Sequence, residues 1–127
     1  MMKVYTASKL KHGAMWRELG ARDPRVFFHA RWLKHNLIGT PDTAEHATRF
    51  WTEDVQDIKI ADALFVYAEP GEHLRGALVE AVVAIALTIP VFVIGEHDDY
   101  GTWQHHWCVK KAATIEAAIE AIVNRGL

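Results

Sequence analysis

The sequence has 127 residues; half of them are apolar, 24% are charged, and the formal net charge is −2. This length and composition fit one globular domain over residues 1–127 with a buried core, and they leave too little chain for a second domain. Basic residues gather only in pairs, so we expect no nucleic acid polymer as a partner. The longest apolar run is too short to span a bilayer, so we expect no membrane partner either.

The cysteine content and the N-terminal residues indicate the cellular compartment. Cys108 is the only cysteine and has no partner for an internal disulfide, which suits a reducing environment. The first 13 residues contain no long apolar stretch, so we expect no signal peptide. The sequence therefore predicts a cytoplasmic protein.

Strand-like and helix-like segments alternate along the chain. Short apolar runs predict strands at residues 3–7, 26–30, 63–67, 91–94 and 108–110. Helical patterns are predicted at residues 13–21, from Pro41 to about Lys59 with a break near Thr48, at 76–87, and at 115–125. Thr40 and Thr114 are the expected N-caps of the second and fourth helices. Such alternation predicts a parallel sheet with helices on both faces.

The number of strands favours one particular α/β architecture. Five strands fit the flavodoxin-like, doubly wound order 2-1-3-4-5, in which ligands bind at the carboxyl ends of strands one and three. The expected crevice is formed by the end of strand one, the loop at residues 68–75 and the first turn of the next helix. The crevice residues named from this placement include Tyr5, Thr6, Ala7, Ser8, His73, Arg75 and Gly76.

Glu80 stands alone in an otherwise apolar helix, GALVEAVVAIAL. Burying an unpartnered carboxylate costs several kcal/mol, so such a group is paired or faces a cavity. The alternative is a helix that shows one polar edge to solvent. Because Glu80 follows the crevice loop and lies in the field of a helix N-terminus, we favour a carboxylate nucleophile.

Asp54 and Tyr5 are the other residues predicted to carry chemistry. Asp54 lies beside the predicted core face of the second helix, which consists of Trp51, Val55 and Ile58. It is either a functional acid that leans towards the sheet or a solvated acid, as we expect for Glu53, Asp57 and Asp62, with Asp62 as a polar cap before strand three. Tyr5, if buried, needs a hydrogen-bond partner, which is either incidental or the Glu80 carboxylate.

The eight histidines do not have the spacing of a metal site, since the sequence contains neither H-x-x-x-H nor H-E-x-x-H. A loop with His97, Asp98, Asp99 and His105 could gather a cation, but we expect its side chains to be solvated. No Gly-rich nucleotide-binding motif occurs. The sequence therefore predicts an enzyme with no metal and no organic cofactor.

An ordered set of motifs resembles one known family. The set comprises Tyr5 on strand one, D-x-x-x-I-x-x-x-D ending at Asp62, a Pro-Gly turn, G-x-x-x-E at Gly76 and Glu80, and A-x-x-x-x-x-P-V-F-V-I. The chain resembles the nucleoside 2-deoxyribosyltransferase-like family from Val4 to Gly95, and the likeness is firmest from Trp51 onward. The resemblance implies the flavodoxin-like fold and cleavage of the N-glycosidic bond of a nucleoside or nucleotide.

The resemblance also implies roles for individual residues. Glu80 matches the family's nucleophile, Asp54 matches the acid that protonates the departing base, and Tyr5 matches the residue that positions the nucleophile. His73 and Arg75 would suit a 5′-phosphate, as in the deoxynucleoside 5′-monophosphate N-hydrolase branch; the alternative is that both are solvated loop residues.

The family also completes its crevice with a neighbouring subunit. We therefore expect a homodimer or larger homo-oligomer, with the WQHHW stretch at residues 103–107 as the cross-subunit element. Leu74 and Val82 depart from the family pattern, which leaves a catalytically silent nucleotide-binding module as an alternative. A metal-dependent hydrolase that uses the His97 loop is the third hypothesis.

Overall fold

The computed structural model describes residues 1–34 and 43–124. Its five strands are β1 Met2–Ala7, β2 Val26–Phe28, β3 Ala63–Tyr67, β4 Val91–Ile94 and β5 Val109–Ala112. Its four α-helices are α1 Gly13–Arg22, α2 Ala44–Lys59, α3 Gly76–Ala86 and α4 Ile115–Asn124. All strand pairs are parallel and the sheet order is β2-β1-β3-β4-β5. The predicted α/β flavodoxin-like fold is therefore confirmed.

The register of the sheet explains which helix covers which face. Val4 on β1 is aligned with Phe28 on β2, and aligned residues of neighbouring strands share a face. Phe28 packs edge-on against Trp16 of α1, with ring centroids 5.2 Å apart. Tyr5, the next residue of β1, therefore points to the opposite face, where it contacts Glu80 of α3. Helices α1 and α3 lie on opposite faces of the sheet.

Helix α2 differs from its prediction in three respects. It runs unbroken through Thr48, whose hydroxyl donates to the Ala44 carbonyl one turn earlier at 2.9 Å. The predicted cap Thr40 and the following Pro41 lie outside the described residues; Thr43 caps the described helix by accepting from the backbone N–H of His46 at 3.1 Å. Of the predicted core face, Ile58 is fully buried, Val55 is half-buried and Trp51 is 39% exposed.

The remaining boundaries lie close to those predicted from the sequence. Strand β2 ends at Phe28 instead of residue 30, and β5 begins one residue later than expected. The Thr114 hydroxyl accepts from the backbone N–H of Ala117 at 3.1 Å, so the predicted cap of α4 is confirmed. Within the described parts of the chain, no helix combines the length and apolarity needed to cross a membrane.

Candidate active site

Helix α3 carries Glu80 into the protein interior. One face of α3 packs on the sheet and the other faces outward. The buried face consists of Ala77, Glu80, Ala81 and Ala84, and the exposed face includes Val79 and Val82. Glu80 is only 7% exposed, and the alternative of a polar edge facing solvent is therefore wrong. The hydroxyl of Tyr5, which is itself fully buried on β1, donates a hydrogen bond to Glu80 Oε2.

Asp54 of α2 lies beside the same two side chains. Asp54 is close enough to both for Tyr5 and Glu80 to affect the pKa of its carboxyl group, and for its own charge to raise the pKa of Glu80. Tyr5, Asp54 and Glu80 together form what we call the Glu80 cluster. The structure thus brings together the three residues that the sequence predicts to carry chemistry, on the face of the sheet covered by α3.

Electrostatics in the Glu80 cluster favours retention of a proton. Burial, followed by the neighbouring Asp54 charge, raises the pKa of Glu80 well above its usual range, while the Tyr5 hydrogen bond opposes this shift. Burial likewise raises the pKa of Asp54 to about 6, although the hydrogen bond from Tyr5 lowers it in part. Burial and the two carboxylates also raise the pKa of Tyr5, which keeps its hydroxyl a donor. Two carboxyl groups that raise each other's pKa titrate as a pair, and the first proton is taken up at a higher pH than an isolated carboxyl group would take it up.

A second buried acid on α2 was missed by sequence reasoning. Asp57, expected to be solvated, is only 5% exposed, so that expectation is wrong. Its carboxylate accepts from the backbone N–H of Arg31 at 2.9 Å and from Arg31 Nε at 3.0 Å. His29 Nε2 donates to the Asp57 backbone carbonyl at 2.7 Å. These contacts attach the segment that follows β2 to α2, one turn beyond Asp54.

Asp62, also expected to be solvated, is exposed. Its carboxylate accepts from the backbone N–H of Lys3 at 2.8 Å, which joins the chain before β3 to the start of β1.

The loops after β1 and β3 meet in another unpredicted group, here called the Glu72 cluster, formed by Lys11, His12, Glu69 and Glu72. The Glu72 carboxylate lies 2.8 Å from His12 Nε2 and 3.1 Å from Lys11 Nζ, and it accepts from the Glu69 backbone N–H at 2.7 Å. Burial tends to raise the pKa of Glu72, but these donors outweigh it and hold the pKa below its usual range. The cluster fixes the two loops that frame the predicted crevice.

Two sets of side chains were compared as cation ligands. His12, Glu69 and Glu72 offer atoms within 4.8 Å of one another, the only such group in the described residues. The Glu72 carboxylate already binds Lys11, His12 and the Glu69 N–H, and the Glu69 carboxylate accepts from the Tyr67 hydroxyl at 2.8 Å. The predicted loop of His97, Asp98, Asp99 and His105 does not converge: His97 Nδ1 accepts from the Asp99 N–H, and Asp99 binds the backbone N–H of Leu74 at 2.8 Å.

The residues predicted to bind substrate lie in varied surroundings. Ala7 is fully buried, so only its backbone is available to a ligand. The Ser8 hydroxyl accepts from Trp16 Nε1 at 2.9 Å and donates to the Lys9 carbonyl at 3.1 Å. The His73 side chain is 77% exposed and lies 3.5 Å from an oxygen of Asp99.

Arg75 and Gly76 stand at the start of α3. Arg75 is the exposed residue that immediately precedes the helix, and Gly76 is its first residue, half-buried. The indole of Trp51 lies 3.6 Å from the point where a Cβ at Gly76 would stand. Arg75 and Gly76 therefore lie at the N-terminal end of the helix that carries Glu80.

Comparisons of the chain with family models, with curated proteins and with solved structures find no match.

Proposed function

We propose that this protein cleaves the N-glycosidic bond of a nucleoside or nucleoside 5′-monophosphate through a glycosyl ester on Glu80, and transfers the sugar to another base or to water. The observation that carries this proposal is the Glu80 cluster, in which a buried carboxyl group lies between a tyrosine hydroxyl donor and a second acid. Paired carboxyl groups that divide the roles of nucleophile and acid are the usual means of cleaving a glycosidic bond with a covalent intermediate.

The single proton of the cluster defines the first step. Asp54 receives the proton from Glu80, so that Glu80 becomes the ionised nucleophile and Asp54 the general acid. The Glu80 carboxylate then forms a bond to the anomeric carbon. As the bond from that carbon to the base nitrogen breaks, the electron pair stays on the nitrogen, which takes the proton from Asp54.

The second step restores the free enzyme. Asp54, now ionised, accepts a proton from water or from an incoming base, and that nucleophile attacks the anomeric carbon. The ester bond breaks and its electron pair returns to the Glu80 carboxylate. Tyr5 keeps its proton throughout; its hydrogen bond holds the attacking oxygen in place and stabilises the ionised form of Glu80.

Release of free base tests the proposal. Chromatography would follow base release from ribo- and deoxyribonucleosides and their 5′-monophosphates, with and without a second base as acceptor. We expect Glu80→Ala to abolish release, while Glu120→Gln, an exposed acid on α4, leaves it unchanged. An active Glu80→Ala variant, or a wild-type protein that releases base from none of these compounds, would contradict the proposal.

A nucleotide-binding module without turnover is the second candidate function. The raised pKa of Glu80 favours it, since a protonated carboxyl group is a poor nucleophile. Calorimetry separates the two: a wild-type protein that binds a nucleoside monophosphate but releases no base supports the binding module.

Self-association forms part of the proposal, and α3 offers a second candidate contact surface beside the WQHHW stretch. Val79, Val82 and Ala86 form an exposed stripe without charge on α3, and an apolar helix face of this kind is typical of subunit contacts. In the WQHHW stretch, Trp103 packs on Tyr100 with ring centroids 6.1 Å apart, while Trp107 is 74% exposed. Light scattering should find a dimer that Val82→Glu converts to a monomer; a monomeric wild-type protein would contradict this.

A further inference from the structure

The indole of Trp51 packs against the first residue of α3, the helix that carries Glu80. Its ring atoms Cη2 and Cζ2 are 3.6 and 3.7 Å from the point where a Cβ at Gly76 would stand. Gly76 and Glu80 are four residues apart on one helix and share a face. The Trp51 ring therefore packs against α3 at position 76, about one helical turn, or roughly 5.4 Å, from Glu80 towards the start of α3.

Trp51 is also a neighbour of Asp54. The two residues are three apart on α2, a spacing that places their side chains next to each other on the helix surface. The indole thus packs from α2 against α3, next to the acid on its own helix and about one turn from the nucleophile on the other. Trp51 is 39% exposed, so part of its surface is accessible to a ligand.

We infer that the Trp51 indole is the wall against which the base of the substrate stacks. This inference rests on the proposed function, because that reaction fixes where the base must be. The base is bonded to the carbon that Glu80 attacks, and its nitrogen takes a proton from Asp54, so it lies beside both groups and beside Trp51. A flat π face is the surface on which nucleobases stack, with little dependence on which base is bound.

The inference gives Gly76 a physical role. A Cβ at position 76 would be in ordinary contact with the indole, whereas a longer side chain would compete with the ring for the surface of α3. A small residue at position 76 therefore keeps the ring packed against α3. Trp51 is thus a specificity residue that selects an aromatic leaving group over an alkyl or sugar one.

Equilibrium binding to base-containing and base-free ligands tests the inference. Each protein carries Glu80→Gln to prevent turnover, and the probes are the four 2′-deoxynucleoside 5′-monophosphates and 2-deoxyribose 5-phosphate. We expect Trp51→Ala to weaken nucleotide binding about tenfold and to leave sugar phosphate binding unchanged. Trp51→Phe, which keeps an aromatic face against Gly76, should lose less, and Trp107→Ala on the exposed loop should lose nothing.

Three outcomes would overturn the inference. If nucleotides bind and Trp51→Ala binds them as tightly as its parent, the base does not stack there, although the proposed function stands. If Trp51→Ala weakens binding of nucleotides and of the sugar phosphate equally, and Trp51→Phe binds both as tightly as the parent, the indole only supports the packing of α2 on α3. If the Glu80→Gln protein binds none of these nucleotides and the wild-type protein releases no base from nucleosides or nucleotides, the proposed function fails together with the inference.

Discussion

The Glu80 cluster and the Glu72 cluster place buried acids in opposite environments. Glu72 is surrounded by donors, namely Lys11, His12 and the Glu69 N–H, and its pKa is held below the usual range. Glu80 has one neutral donor, Tyr5, and a second acid, Asp54, and its pKa is raised. The first arrangement fixes a negative charge and joins two loops. The second retains a proton that can be passed on, which is what acid-assisted bond cleavage requires.

The largest expected effect separates the two acids by activity. Glu80→Gln should lower base release by about a thousandfold or more, because the nucleophile is lost while the shape of the side chain is kept. Glu72→Gln should leave base release within about tenfold of wild type, since Glu72 acts only on the loops. Steady-state kinetics on the best substrate of the panel measures base release by both variants. Equal losses of rate would mean that the two acids do not differ in their role in catalysis.

The second effect sharpens the role of Tyr5. Tyr5→Phe removes the hydroxyl that favours ionised Glu80, so the turnover rate should fall on the order of a hundredfold. The pKa of Glu80 rises further without this donor, so the acidic limb of the pH–rate profile should move to higher pH. Circular dichroism serves as the control for folding. A slower variant with an unshifted profile would mean that Tyr5 only packs.

The third effect concerns the stability that Glu72 provides. Glu72→Gln replaces a charged acceptor by an amide whose N–H₂ faces Lys11 and His12, at a cost of about 1–3 kcal/mol. Because the pKa of Glu72 is lowered on folding, its contribution is present above the unfolded value of 4.5 and is lost as pH falls through the folded value. In urea denaturation, the free energy of unfolding of Glu72→Gln should therefore be lower than that of the wild type at pH 6, and the difference should be smaller at pH 3. The exposed Glu18→Gln should show none.

The fourth effect has the opposite sign and belongs to Asp54. Its pKa rises on folding from 3.8 to about 6, so folding favours the protonated form, and stability is lost as pH rises between those values. Asp54→Asn removes this pH dependence. In the same urea experiment, the free energy of unfolding of the variant minus that of the wild type should be larger at pH 7 than at pH 4. A variant that instead loses stability on going from pH 4 to pH 7, relative to wild type, would contradict a raised Asp54 pKa.

Sequence reasoning found the Glu80 cluster because its evidence is local. A carboxylate inside GALVEAVVAIAL is visible in one helical segment, and the alternation of strands and helices is enough to place Tyr5 beside it. The Glu72 cluster joins His12 to Glu72 across 60 residues, and Arg31 meets Asp57 across 26 residues. Pairings of polar residues between loops leave no periodic pattern, so they could not be predicted. The prediction that Trp51 belongs to the core is wrong in part, because helical periodicity identifies an apolar face and not how completely neighbouring elements cover it.

The central claim is that Glu80 becomes covalently attached to the sugar. Fluorine at the 2′-position of the substrate sugar destabilises the positively charged transition states of both steps. A good leaving base speeds the first step, so the glycosyl ester on Glu80 accumulates. Intact-mass spectrometry followed by peptide mapping should find one added sugar on the peptide that contains Glu80, and none in Glu80→Gln. Base release without any adduct, or an adduct on another residue, would contradict the account.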